Sequence, residues 1–118
     1  MPKENTINYI EIPVKNMALS KSFFAKVFEW EFTDYGEDYC CPTNAGIDAG
    51  LALSDKCFNQ SKGMALIVFY ASNLPQKKQL IKLNGGEITQ DIFSFPGGKR
   101  FHFMDINGNE YAVWSDQV

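Results

Sequence analysis

Histidine is almost absent from this chain of 118 residues, with His102 its single representative. A metal triad of two histidines and one carboxylate therefore cannot be assembled within it. Cysteine is scarce too: there are three, two of them adjacent as Cys40 and Cys41. That spacing supports neither a disulfide framework nor a zinc site, and it points to a reducing, cytoplasmic setting. No His or Lys pattern near Cys40, Cys41 or Cys57 would activate a thiol. Positive charge is not in excess, since 11 Lys and Arg against 14 Asp and Glu leave a net charge of −3. Nucleic acid and anionic membranes thus have no electrostatic case as partners, and Lys77, Lys78 and Lys82 read as the solvated face of one helix. No run approaches the roughly 20 apolar residues that span a bilayer, and the polar opening from Met1 to Thr6 lacks the core of a signal peptide.

Apolar and aromatic residues are plentiful, at 45% and 14% of the chain, enough for a single domain (1–118) to bury a core without staples. The most legible stretch runs from Phe101 to Trp114. Asn107-Gly108 predicts a tight type I′ hairpin turn, with Asp105 accepting from its backbone amides. A two-residue turn pairs Met104 with Tyr111, Phe103 with Ala112, His102 with Val113, and Phe101 with Trp114. One hairpin face then carries Phe101, Phe103, Ala112 and Trp114, the other His102, Met104, Tyr111 and Val113. Both are largely apolar, so both are expected to be covered.

Read in order, Ile7 to Val14 alternates as a strand, with Tyr9, Glu11 and Pro13 opposite Ile10, Ile12 and Val14. Asn16 is placed to cap a helix whose apolar side carries Leu19, Phe23, Val27 and Trp30, beside Phe24 and Phe28. Strands follow near 31–35, 38–42 and 47–53, and Ser54 to Gly63 has the composition of a surface linker. The same order then begins again. Met64 to Ala71 is an apolar strand, and Asn73-Leu-Pro-Gln76 opens a second helix with Leu80, Ile81 and Leu83 on its apolar side. Gly85-Gly86 ends it. Strands near 87–93 and 99–104, turned at Pro96-Gly97-Gly98, lead into the hairpin. Strand, helix and three strands thus occur twice, in modules of about 5–54 and 64–116.

The opening Ile7-Asn-Tyr-Ile-Glu-Ile-Pro-Val14, the helix carrying Phe23-Phe24 and Phe28-Glu-Trp30, the Gly85-Gly86 pair and Asp105-Ile-Asn-Gly-Asn109 resemble, in order and spacing, the vicinal oxygen chelate superfamily of glyoxalases, bleomycin-resistance proteins and ring-cleaving dioxygenases. Departures are Phe24 where Tyr is usual, Glu29 where Gly is usual, Ile106 for Pro and Asn107 for Asp. The resemblance implies an α+β fold of two βαβββ modules, its mixed sheet curved into a U-shaped cleft, and a homodimer. It also implies, where there is chemistry, a divalent metal held by His, Glu or Gln from strands of both modules. Carried over position by position, those ligands fall on Tyr9, about Ala52, Leu66 and Ala112. Two alanines and a leucine bind no metal, and a tyrosine with an ordinary pKa near 10 is a poor donor unaided.

No metal or other cofactor is therefore expected, a divalent metal on relocated ligands being the alternative. Alternation directs Glu11 with Tyr9 toward the cleft, where a carboxylate would be partly desolvated and a candidate for proton transfer. His102 is expected to face away from the cleft as a structural residue. Tyr9, Tyr70, Phe101, Phe103 and Trp114 are expected on the concave faces beside Ala112, with Phe93 and Phe95 at the mouth. Such a surface suits a small aromatic or amphiphilic ligand. A metal-dependent lyase, isomerase or dioxygenase and a non-catalytic interaction module are the other readings.

Overall fold

The computed structural model describes residues 2–117. The chain divides into two compact units, Met1–Lys56 and Cys57–Val118, each a strand, a helix and three strands. The first contains β1 (Tyr9–Val14), α1 (Met17–Phe28), β2 (Phe32–Asp34), β3 (Tyr39–Pro42) and β4 (Asp48–Leu53). The second contains β5 (Ile67–Tyr70), α2 (Leu74–Leu83), β6 (Glu87–Phe95), β7 (Gly98–Met104) and β8 (Glu110–Ser115). Each sheet is mixed, ordered β1-β4-β3-β2 in one unit and β5-β8-β7-β6 in the other. The first and last strands of each unit pair in parallel, and the remaining pairs are antiparallel.

The two units share local devices as well as topology. Asn16 and Asn73 cap α1 and α2, each side-chain oxygen accepting from the amide three residues on at 3.0 Å. One turn further, Lys21 of α1 bonds Asp34 of β2 and Lys78 of α2 bonds Asp91 of β6, both at 2.6 Å and both across thirteen residues. The cap, lysine and aspartate recur at one constant offset, although the apolar residues around them do not match.

In the first unit α1 lies on the sheet face carrying Ile12, Val14, Ala49, Leu51 and Cys40, all buried. The Cys40 thiol reaches the Met17 sulfur at 3.6 Å. Phe23, Phe24 and Val27 are the buried stripe of α1, whereas Leu19, expected there, is 56% exposed. Trp30 lies beyond the helix end and stacks on Phe24 at 4.8 Å, closing that core from the side. In the second unit Leu74 and Ile81 are the buried residues of α2, and Leu83 is exposed. Leu74 and Pro75 line a cavity with Lys99 and Ser115, which places α2 on the face of Phe101, Phe103, Tyr111 and Val113.

The hairpin departs from expectation by one residue. Met104 pairs with Glu110, Phe103 with Tyr111, His102 with Ala112, Phe101 with Val113 and Arg100 with Trp114. The connection is a three-residue loop, in which the Gly108 amide donates to the Asp105 carbonyl and Asp105 N–H to the Asn109 carbonyl. Only Gly108 in this loop has positive φ, at 87°. That is a type I turn followed by a left-handed glycine rather than a type I′ pair, and it inserts one residue into the count. Asp105 drives the choice. Its Oδ1 accepts from the amides of Asn107 and Asn109, and its Oδ2 from the Asn107 side chain and the Tyr111 hydroxyl.

The Ser54–Gly63 stretch is likewise more than a linker. Phe58 N–H donates to the Asn109 side chain at 2.9 Å, Glu110 N–H to the Phe58 carbonyl at 2.9 Å, and Gln60 N–H to Glu110 Oε1 at 3.0 Å. The Phe58 ring meets Tyr111 edge-on. The segment straps the hairpin turn, an anchorage that its polar composition does not announce.

Candidate functional site

Strand alternation and helix placement leave one helix-free face on each sheet. On the first sheet that face presents Tyr9, Glu11 and Pro13 from β1, Asp48, Gly50 and Ala52 from β4, and Tyr39 and Cys41 from β3, following the strand registers. Its polar groups are linked. The Tyr39 hydroxyl donates to Glu11 Oε2 at 3.1 Å. A phenol has one proton to give, so in the close contact between the two hydroxyls Tyr9 donates and Tyr39 accepts. Tyr9 oxygen is then left to accept from the Cys41 thiol, 3.6 Å away. The result is a directed chain from Cys41 through Tyr9 and Tyr39 to Glu11.

Gly50 makes this chain possible. A Cβ at that position would collide with both tyrosine hydroxyls, so the phenols lie across bare backbone. The hydrogen bond that Tyr9 gives to Tyr39 is the leading cause that raises its pKa well above the ordinary phenol range, and burial adds to it. Tyr39 is also raised: the bond from Tyr9 pulls it down, but burial and Glu11 together outweigh that. Neither residue is thus poised to give a phenolate. Glu11, expected to be partly desolvated, is exposed. Tyr39 and Gly50 escaped the sequence reading, although the period-two pattern that aligned Tyr9 with Glu11 would have aligned Tyr39 with Cys41.

On the second sheet the helix-free face carries Val68 and Tyr70 from β5, Glu110, Ala112 and Trp114 from β8, Arg100, His102 and Met104 from β7, and Gln90, Phe93 and Phe95 from β6. Tyr70 meets Trp114 edge-on at 5.2 Å and donates to Asp116 at 2.7 Å. Phe95 meets Trp114 from the other side at 6.4 Å. The Arg100 guanidinium lies 5.3 Å from the Phe93 ring centre and 5.7 Å from that of Phe95. An aromatic strip thus crosses one end of the face, with Arg100 held against it.

The register slip redistributes the expected residues. Phe101 and Phe103, expected on the ligand-facing side, are fully buried beneath α2, because a one-residue shift sends every side chain of a strand to the opposite face. His102 moves the other way. It is the cross-strand partner of Ala112, on the face from which it was expected to be absent. Its Nδ1 lies 3.2 Å from Glu110 Oε2, and the ring is 1% exposed.

The positions at which the superfamily resemblance places metal donors are thereby located. Tyr9 and Ala52 lie on the helix-free face of the first sheet and Ala112 on that of the second, and Leu66 immediately precedes β5. Three have no donor atom, and the fourth is a phenol whose hydrogen bonds hold its proton. Among the described residues no group of three His, Cys, Asp or Glu side chains is arranged to hold a metal. The residues present do not fit the group. No helix among the described residues is long and apolar enough to cross a membrane.

The sequence profile described as Glyoxalase/Bleomycin resistance protein/Dioxygenase superfamily matches residues 6–113. Curated protein sequences return no match. Among solved structures the chain is similar to a glyoxalase-related enzyme from Fulvimarina pelagi, with a TM-score of 0.79 and 11% identity over 94% of this chain and 88% of that one. It is also similar to the fosfomycin resistance protein FosX from Listeria monocytogenes, with a TM-score of 0.79 and 16% identity over 96% and 94% of the two chains. A hypothetical protein, SA1046 from S. aureus, gives a TM-score of 0.75 at 13% identity over 96% and 99%. At these identities the likeness is one of fold.

Proposed function

The chain belongs to the Glyoxalase/Bleomycin resistance protein/Dioxygenase superfamily, and on that premise we propose that it is a metal-independent member that binds a small aromatic or amphiphilic molecule. The observation that carries this reading is the replacement of donor atoms by apolar side chains. Ala112, at a family ligand position, is flanked on neighbouring strands by Val68 and His102, and the strip of Tyr70, Trp114 and Phe95 lies along the same face. Flat rings offer large contact area to a planar ligand, with the Arg100 guanidinium and Glu110 as polar handles at either end. Solved FosX from Listeria monocytogenes includes a complex with Mn(II) and sulfate. In this chain Ala52, Leu66 and Ala112 offer no donor atom at the positions to which the family resemblance points.

Two measurements test the reading. Elemental analysis of the dialysed protein is expected to find metal far below one equivalent, and a near-stoichiometric, dialysis-resistant divalent ion would overturn it. A thermal-shift screen of neutral and charged aromatics in the presence of a chelator is expected to yield stabilising ligands. A compound at 100 times its dissociation constant adds roughly 2.7 kcal/mol of stability. A flat response across the panel would favour the non-catalytic interaction module instead.

A further inference from the structure

The only histidine and the only arginine of the chain, His102 and Arg100, stand two residues apart on β7 and project from the same face of the second sheet. We infer that this face takes a phenol, and that the phenolic proton passes to Nε2 of His102. The inference rests on the ligand-binding role proposed above and names the chemistry of the ligand.

A carboxylate can only accept, so the contact of His102 Nδ1 with Glu110 Oε2 at 3.2 Å places the proton of the neutral ring on Nδ1. Nε2 then offers a lone pair. It is buried and has no hydrogen-bond partner among the described residues. Glu110 is itself held, its Oε1 accepting from the Gln60 amide at 3.0 Å and its Oε2 reached by the Thr89 hydroxyl at 3.5 Å. The imidazole is therefore oriented from behind with its basic nitrogen unused, the arrangement in which a carboxylate fixes the tautomer and supports the imidazolium. Arg100 repeats the pattern: its Nε is buried and unpartnered, while the guanidinium lies against Phe93 and Phe95. A buried acceptor and a buried cationic donor on one face match a hydroxyl that ionises on binding. The proton leaves the phenol oxygen for Nε2, the oxyanion faces Arg100, and the imidazolium is balanced by Glu110, with no change in total charge. Other groups toward His102 on this face are neutral, namely Met104, Ala112, Gln90 and Phe93, and the next carboxylate along, Glu87, pairs with Met104.

A ligand reaches Nε2 only if Phe93, whose ring centre is 5.9 Å from that of His102, gives way. Phe93 stands where the β6 register shifts between Gln90 and Phe93, on the edge strand of the sheet. A bulged edge is the part of a sheet that yields most easily.

The experiment titrates the full chain with 4-nitrophenol and follows the visible nitrophenolate band against pH, with 4-nitroanisole, which has no ionisable proton, as the control in thermal shift. Bound nitrophenol is expected to ionise about one pH unit or more below the free compound. His102→Gln is expected to keep binding but abolish that displacement, and Glu110→Gln to reduce it while leaving the imidazole in place. Should His102→Gln fail to fold, Glu110→Gln decides. Unshifted ionisation of bound nitrophenol, or a displacement that survives in the variants, overturns the inference. Stabilisation by nitroanisole without any binding of nitrophenol overturns it and leaves the broader ligand-binding reading standing. A null response to both overturns both.

Discussion

The hydroxyl of Tyr111 donates to Oδ2 of Asp105 at 2.9 Å, with both residues buried. One carboxylate thereby ties the hairpin loop to the core beneath it, since the same group collects the amides of Asn107 and Asn109. Replacing Asp105 by Ala removes the acceptor shared by two amides, the Asn107 side chain and the Tyr111 hydroxyl and is expected to cost roughly 3 kcal/mol or more in urea unfolding. A loss below 1 kcal/mol would remove Asp105 as the organiser of the turn.

The same residue has a distinctive pH signature. Burial raises the Asp105 carboxyl above its ordinary range against the pull of its hydrogen bonds from Tyr111, Asn109 and Asn107. The folded chain then takes up this proton before the unfolded chain does. Its contribution to stability therefore rises as pH falls through the raised folded value, and the gain is complete below the ordinary carboxylate value. Asp91 has the opposite sign: Lys78, then the Ile92 amide, hold it low, so its contribution is present above the unfolded value and is lost as pH falls through the folded one. Melting curves against pH are expected to show wild type gaining on Asp105→Asn in acid and losing its lead over Asp91→Asn.

Glu29 closes α1 in the left-handed conformation, at φ 59° and ψ 31°. This is the position at which the family resemblance expects glycine, and the strain of a Cβ there is the reason. Glu29→Gly is expected to raise stability by up to about 1 kcal/mol, measured by thermal unfolding. A destabilised variant would mean that the Glu29 side chain contributes more than its exposure suggests.

Gly50→Ala drives a methyl into the hydroxyls of Tyr39 and Tyr9 and is expected to cost roughly 1–3 kcal/mol. Removing the Tyr39 hydroxyl relieves the shortest of these contacts and leaves those with the Tyr39 ring and the Tyr9 hydroxyl, so Gly50→Ala with Tyr39→Phe should cost less than the two changes added together. Strict additivity in the cycle would show that the phenols do not rest on Gly50.

Cys40 is fully buried against Met17 and, chiefly by desolvation, its thiol is pushed up to about 11. Cys41 and Cys57 are half-buried. A disulfide reagent near neutral pH is expected to titrate Cys41 and Cys57 and to reach Cys40 only on unfolding. Early modification of Cys40, located by mass mapping, would contradict the packing of α1 on the first sheet.

The chain by itself determined its elements and their repetition. Asn16 and Asn73 cap where an asparagine oxygen can satisfy a free helical amide, and the period-two strands place Tyr9 with Glu11 and Ala112 with Trp114. These are local effects that act within a few residues of each other. Which residues meet across strands was decided by tertiary structure. Asn107-Gly108 is compatible with a two-residue turn, but Asp105, with partners as far along as Tyr111, selects a three-residue loop instead. That one residue buries Phe101 and Phe103 under α2 and brings His102 beside Ala112. Because side chains alternate along a strand, the face a residue occupies depends on the parity of a loop, and that parity was set by hydrogen bonds made only once the hairpin had closed.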